Sequence, residues 1–177
     1  MESNHNSKKN YLKLFLMVGT SMLVMFFLMY LNSYQIIAHA RFSETRLFMT
    51  MIMGSAMLIV MLLFMRGMYP NSKLNAVIFA GAGLMLLLSI WLVRSQATVT
   101  GTDYMEGMIP HHSIAILTSK RAQIEDPRVR KLADEIIAAQ EKEIQEMEWL
   151  IEDIKANGVA QSQAEADARP APDFSAP

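Results

Sequence analysis

The chain has 177 residues, of which 52% are hydrophobic, with 16 basic and 17 acidic side chains and a net charge of -1. This charge balance, without a basic cluster, argues against a nucleic-acid-binding protein. The chain contains no cysteine, which excludes disulfides, iron–sulfur clusters, thiolate zinc sites and a cysteine nucleophile.

The first half of the chain contains three stretches without charged residues, at 14–31, 47–65 and 74–93. About 20 apolar residues in a helix cross a hydrocarbon core of roughly 30 Å, so each stretch is predicted to span a membrane. We therefore predict an N-terminal tail over residues 1–13 and a domain of three transmembrane helices over residues 14–94.

The first apolar stretch is interpreted as an uncleaved anchor. Ala38-His39-Ala40 resembles a cleavage site, but it lies well beyond a stretch that is already longer than the core of a signal peptide. Orientation follows from the basic residues near the span ends. One side has Lys8, Lys9, Lys13, Arg66 and Lys73, and the other has Arg41, Arg46 and Arg94. The predicted location is a bacterial inner membrane, with a cytoplasmic N-terminus and a periplasmic C-terminal half.

Methionine occurs 16 times, and the second span carries it at every fourth position. The row consists of Met49, Met53, Met57, Met61 and Met65. Such a row is either a flexible packing face or a thioether ladder that hands on Cu(I), and packing is the interpretation we favour. Small residues, among them Gly54 and Gly83, allow close approach of the spans.

The second half of the chain is predicted to form two helices. Thr102 or Asp103 is a candidate cap for the first helix, and Asp126-Pro127 is a strong start signal for the second. The second helix is expected to end at Asn157-Gly158, because glycine readily adopts the left-handed conformation of a helix end.

These two helices are predicted to form an antiparallel hairpin over residues 101–157. Residues 158–177 are rich in Ala, Pro, Ser, Gln and Asp, so we predict a disordered tail there. A hairpin alone buries little apolar surface, and it therefore needs the membrane helices or a second copy as a partner.

The stretch 103–112, DYMEGMIPHH, is the most informative part of the sequence. On a helix, Met105, Met108 and His112 share one face, with His111 one step around. Thioether and imidazole groups suit copper, and thioethers favour Cu(I). Pro110 either marks the start of the main helix or kinks it. The alternative is that both histidines are ordinary surface residues.

The second helix places Gln140, Glu143 and Met147 on one stripe with Ile144. Polar side chains on an apolar stripe are unfavourable unless they find partners. Antiparallel pairing brings Glu143 and Met147 towards Met108 and His112, where Glu143 can orient an imidazole ligand. There is no evident nucleophile–base pair or Gly-rich phosphate loop, so an enzyme is not predicted.

The string MIPHHSIAI, followed by Asp-Pro-Arg-Val and by Gln140-x-x-Glu143-Ile144-x-x-Met147, resembles domain-of-unknown-function family 305 (DUF305) over residues 102–154. The resemblance implies a ferritin-like architecture and copper binding through His and Met in the periplasm. The three spans resemble a membrane-anchored subgroup, some of whose members handle copper or silver. The implied metal ligands are Met105, Met108, His111, His112 and Met147, supported by Gln140 and Glu143.

The sequence therefore predicts an all-α protein with three transmembrane helices and an external two-helix hairpin, half of a ferritin-like four-helix bundle. The hairpin is expected to bind Cu(I) or Ag(I) and to buffer it or pass it to a partner protein. One helix pair where longer members have more makes a homodimer or higher oligomer attractive. His39 is a further candidate ligand, although an ordinary interfacial histidine is the commoner case.

Two other hypotheses remain open from the sequence. In the first, the protein is structural or regulatory, and its hairpin docks a partner protein without physiological metal. In the second, the three spans themselves transport metal, which would require oligomers and would use the methionine row.

Overall fold

The computed structural model describes residues 2–174, and it describes side chains from residue 8 onward. Every regular element in this range is helical, so the predicted all-α class is confirmed there. The helices are α1 (Glu2–Leu28), α2 (Glu44–Phe64), α3 (Ser72–Ser95), α4 (Gly101–Arg121), α5 (Pro127–Asn157) and α6 (Gln163–Asp167), with a 3-10 turn at Arg66–Met68.

The described chain divides into two compact units. The first contains residues 2–29 and 44–98, and the second contains residues 30–43 and 99–174. Residues 30–43, which we call the linking segment, join α1 to α2 but belong to the second unit with α4 and α5. The predicted transmembrane domain 14–94 stays a prediction, and in the structure hydrogen bonds connect the linking segment to α4.

The first unit has three helices, within the described residues, that are long and apolar enough to cross a membrane. They are Lys8–Leu28, Glu44–Phe64 and Ser72–Ser95, with mean hydropathies of 1.9, 2.4 and 2.4. Large apolar side chains such as Leu23, Phe27 and Leu84 are more than half exposed. Water makes such exposure unfavourable, whereas lipid does not.

Packing in the first unit involves several of the predicted methionines. The buried core cluster consists of Tyr11, Leu14, Val18, Leu62, Tyr69 and Ile78. Met57, Met61 and Met65 are partly buried against this cluster. Three members of the methionine row therefore pack between helices, as the favoured interpretation predicts.

Helices α1 and α2 approach closely at Gly54. A Cβ atom built on Gly54 would lie 2.2 Å from Sδ and 2.6 Å from Cγ of Met22. Gly83 differs from the expectation, because no described atom would lie within 4 Å of a Cβ there. Gly54 is thus the position where the small side chain is needed for helix packing.

In the second unit, Thr100 caps α4, and the predicted caps Thr102 and Asp103 are wrong. Thr100 Oγ1 accepts a hydrogen bond from the Asp103 N–H, and the Asp103 carboxylate accepts one from the Thr100 N–H at 3.0 Å. This reciprocal pair is a capping box. Pro110 lies inside α4, so the helix starts well before it. Since proline has no N–H, the Glu106 carbonyl loses its usual donor.

Helix α5 has the predicted bounds. The Asp126 side chain accepts a hydrogen bond from the Arg128 N–H at 2.9 Å, and Pro127 is the first helical residue. At the other end, Gly158 has a φ of 78°, on the positive side that glycine tolerates best. The start and stop signals for α5 are local, which explains why the sequence alone located both.

The tail was predicted to be disordered, but the structure has helix α6 within it. Ser162 caps this short helix by accepting a hydrogen bond from the Glu165 N–H. Beyond α6, Arg169 Nη1 lies 2.8 Å from Asp153 Oδ2 of α5. A favourable cap and an ion pair therefore order part of a segment whose composition suggested disorder. Residues 175–177 of the predicted tail, and residue 1 of the predicted N-terminal tail, lie outside the described residues.

The close contact at Gly54 leads to a prediction about stability. Gly54→Val should destabilise the first unit by about 1–3 kcal/mol, because the new side chain overlaps Met22. Unfolding in detergent measures this effect, and Gly81→Val is the matched control, since no described atom lies near that position. Adding Met22→Ala should restore part of the loss. Equal destabilisation by Gly54→Val and Gly81→Val would contradict the role of this contact.

Candidate functional site

The predicted site methionines lie in the core between α4 and α5. The buried cluster consists of Met105, Ile109, Ile116, Ile144, Met147 and Ile151, and Met108 is partly buried against it. The structure therefore brings the three methionines of the second half to one cluster. Met105 and Met147 are both buried, although slightly less than the isoleucines around them, so they contribute to the core as well as to the candidate site.

His112 lies on α4, the helix that carries Met105 and Met108, and one of its ring nitrogens lacks a hydrogen bond. Its side chain is 14% exposed, and Nδ1 lies 3.5 Å from Glu143 Oε2. That separation is too long for a good hydrogen bond. Among the described residues, Nδ1 is buried with no hydrogen-bond partner. A buried polar atom of this kind needs an explanation such as a water molecule or a ligand.

The environment of His112 favours the neutral ring. Burial lowers its pKa below the usual value of 6.5, and this effect exceeds the opposing attraction of the Glu143 carboxylate. The neighbouring His111 lowers the pKa further. Glu143 also accepts a hydrogen bond from Gln140 Nε2 at 3.3 Å. The predicted supporting pair thus lies next to the predicted imidazole ligand.

His111 points elsewhere. Its ring centroid is 6.3 Å from that of His112, and the ring planes are inclined by 56°. His111 is exposed, whereas His112 is largely buried. Adjacent residues on a helix point about 100° apart, which is consistent with one histidine being exposed and the other largely buried.

Carboxylate and imidazole groups alone do not form a metal site here. Among the described residues, no group of three or more His, Asp or Glu side chains is placed to hold a metal ion. The described range therefore lacks the ligand sets used by zinc and by di-iron carboxylate proteins.

The sequence reasoning missed Ser113, which connects the linking segment to α4. Its side chain is fully buried, and its Oγ accepts a hydrogen bond from the Tyr34 N–H at 2.7 Å. The same Oγ lies 2.8 Å from His39 Nδ1. Ser113 shares the buried stripe of Ile109 and Ile116 at helical spacing. A hydroxyl on such a stripe requires a hydrogen-bond partner. This pattern in the sequence could have identified Ser113 as a contact residue.

His39 is buried in the protein. Its pKa is lowered, chiefly by burial, while the Glu148 carboxylate opposes this effect and the Arg41 guanidinium adds to it. Arg41 Nη2 lies 3.5 Å from Glu148 Oε1. Because His39 Nδ1 is already bonded to Ser113, that nitrogen is not available as a metal ligand.

Comparison with known proteins gives a family match and one relative. The model of the family described as "Domain of unknown function (DUF305)" matches residues 101–175. Uncharacterized protein L153 of Acanthamoeba polyphaga mimivirus is 31% identical over 110 residues, covering 61% of this chain and 70% of that protein. The chain belongs to the DUF305 family. No solved structure matches it. The DUF305 region begins at Gly101, the first residue of α4, so the linking segment lies outside it.

The position of His112 predicts its titration. In a pH titration followed by NMR, the His112 ring should titrate below pH 6.5. Glu143→Gln should lower its pKa further, because it removes the negative charge that favours the protonated ring. Glu152→Gln is a control, since Glu152 pairs with Lys155 instead. An unchanged His112 pKa in Glu143→Gln would mean that the two side chains are not in contact in solution.

Proposed function

We propose that this DUF305 protein is anchored in a bacterial inner membrane and binds Cu(I), or Ag(I), between α4 and α5 in the periplasm. In this role it buffers the ion or passes it to a partner protein. The observation that carries the proposal is the buried Nδ1 of His112, which has no hydrogen-bond partner among the described residues. His112 lies at helical spacing from Met105 and Met108, which pack with Met147 in one cluster.

The chemistry of these side chains suits a soft monovalent ion. Thioether sulfur binds Cu(I) well and is a poor ligand for hard cations such as Mg²⁺. A neutral imidazole provides a lone pair, and the lowered pKa of His112 favours the neutral ring at pH 7. The ligands that fit are Met105, Met108, Met147 and His112. Their lack of thiols suits an oxidising compartment, because thioethers do not form disulfides.

The mechanism is ligand exchange without bond chemistry in a substrate. His111 is exposed and Met108 only half-buried, so these two side chains are the first that an incoming ion meets. Met105 and Met147 lie deeper and would hold the ion away from water. Glu143, held by Gln140, adds negative charge near the cation.

The bonds of the linking segment support three crossings of the membrane. This segment follows the first apolar helix, and α4 follows the third. Two crossings between them would return the chain to the same side, as the bonds from Tyr34 and His39 to Ser113 require. Any odd number of crossings between these parts would separate bonded residues. The periplasmic side is inferred from the basic residues alone.

This topology predicts which residues can be labelled from outside the cell. Because the chain lacks cysteine, single substitutions Ile37→Cys, Met68→Cys and Val159→Cys can be tested with a maleimide that does not cross membranes. All three positions are exposed. Positions 37 and 159 should react in intact cells, and position 68 only after lysis. If 37 and 159 differ, the two-crossing arrangement is wrong, and if both react only after lysis, the orientation is reversed.

Metal binding is tested on the full-length protein in detergent. Cu(I) is titrated against a chromogenic chelator, and the triple variant Met105→Leu, Met108→Leu, His112→Ala should bind at least tenfold more weakly than the wild type. The matched control Met57→Leu, Met61→Leu removes two methionines that pack in the first unit and should bind normally. Background binding by the wild type, or unchanged binding by the triple variant, would refute the proposed ligands.

A second candidate function is docking of a partner protein without metal. It is favoured by the missing carboxylate–imidazole metal group among the described residues and by Val129 and Leu132 of α5, which are about half exposed. The same side chains suit a homodimer in which two copies of an α4–α5 hairpin complete a four-helix bundle. Light scattering of the detergent-solubilised protein should then give a doubled protein mass, and a strictly monomeric protein would rule out the dimer.

A further inference from the structure

The linking segment is held on α4 by a group of bonds centred on one serine. The Tyr34 N–H donates to Ser113 Oγ at 2.7 Å and approaches the Ser113 carbonyl oxygen at 3.3 Å. Five residues later, His39 Nδ1 lies 2.8 Å from the same Oγ. Ser113 and His39 are both buried, at 0% and 8% exposure. The histidine ring is therefore part of the packed contact between the segment and α4.

The protonation of His39 decides which hydrogen bonds this contact can form. Because Ser113 Oγ accepts the Tyr34 N–H, its own hydrogen can be donated to a neutral ring through Nδ1. A protonated ring carries hydrogen on both nitrogens, so Nδ1 can no longer accept. The protonated ring can instead donate to the second lone pair of Ser113 Oγ, so this hydrogen bond reverses its direction, and the Ser113 hydroxyl hydrogen loses the ring as its acceptor. The destabilising change is therefore the positive charge that protonation places on a ring buried in the contact.

We propose that the linking segment is a pH-sensitive latch, which stays on α4 while His39 is neutral and is released when His39 is protonated. The proposal goes beyond metal binding and does not depend on it.

Charged groups on two elements face His39. On its own segment, Arg41 opposes protonation, and on α5, Glu148 favours it. Arg41 and Glu148 are 3.5 Å apart, so the carboxylate already has a cationic partner. Glu141 of α5 lines the same cavity of about 270 Å³ as His39, but it pairs with Lys120 at 2.7 Å. From α4, the contacting side chain is Ser113, which does not titrate in this range.

The direction of the pH effect follows from these surroundings. Burial lowers the pKa of His39 from 6.5 while the segment is attached, whereas a released segment exposes the ring to water. Attachment is therefore fully stabilised above about pH 6.5 and is lost as the pH falls through the lowered pKa. One proton changes the attachment equilibrium by at most about tenfold per pH unit.

Hydrogen exchange measures the latch directly. The full-length protein in nanodiscs is compared at pH 7.5 and pH 5, with correction for the intrinsic dependence of exchange on pH. The amide of Tyr34 and its neighbours should be measurably less protected at pH 5 than at pH 7.5. Amides in the middle of α5 serve as the internal control and should stay protected. A linking segment equally protected at both pH values would refute the proposal.

Two variants identify the titrating group. His39→Gln keeps a hydrogen-bonding side chain without the titration, so protection should no longer change between the two pH values. Ser113→Ala should remove the protection of the linking-segment amides at both pH values. If His39→Gln retains the wild-type pH response, another group is responsible and the proposal is wrong. If His39→Gln releases the segment at both pH values, the test becomes the pH at which the wild-type linking segment has lost half of its pH-dependent protection. It should coincide with the His39 pKa measured by NMR, and a difference of a full unit would refute the latch.

Discussion

The second unit depends on the contact between the buried Ser113 hydroxyl and the linking segment. A buried hydroxyl without a partner destabilises a protein by about 1–3 kcal/mol, and here the partners come from residues 74 and 79 positions away in the chain. This contact makes the linking segment a third element of the second unit beside α4 and α5. It also supplies part of the covering that a two-helix arrangement lacks on its own.

The contact between Ser113 and the linking segment joins the apolar helices to the helix that carries the proposed metal ligands. Ser113 directly follows His112, the proposed imidazole ligand, and the linking segment bonded to Ser113 joins two apolar helices. The hydrogen bond between Tyr34 and Ser113 requires both residues to lie on the same side of a bilayer. The chain between them can therefore cross a bilayer only an even number of times.

Local signals allowed much of the fold to be predicted. The three apolar stretches and both ends of α5 follow from short-range chemistry, namely the absence of charge, a capping aspartate with proline, and a terminal glycine. The start of α4 was less certain, because Thr100, Thr102 and Asp103 can all act as caps and Pro110 offered another start. The reciprocal bonds of Thr100 and Asp103 decide between them.

The site was predictable where helix geometry alone determines it. Spacing predicts Met105, Met108 and His112 on one face, and the structure has Met105 and Met108 in one cluster. The predicted approach of Glu143 to His112 agrees with the 3.5 Å between Glu143 Oε2 and His112 Nδ1. The role of His39 could not be predicted in this way. Its burial results from a contact with a helix far along the chain, and no local periodicity encodes such a contact.

The discontinuous second unit also imposes an order on biosynthesis. Tyr34 leaves the ribosome 79 residues before Ser113, an interval of roughly 4–16 s at 5–20 residues per second. During that time the linking segment exists without its helix, and two further apolar helices must be synthesised and placed. Ile37, which is 93% exposed even in the folded protein, is then part of a nascent loop. The second unit can therefore assemble only after the third apolar helix is complete.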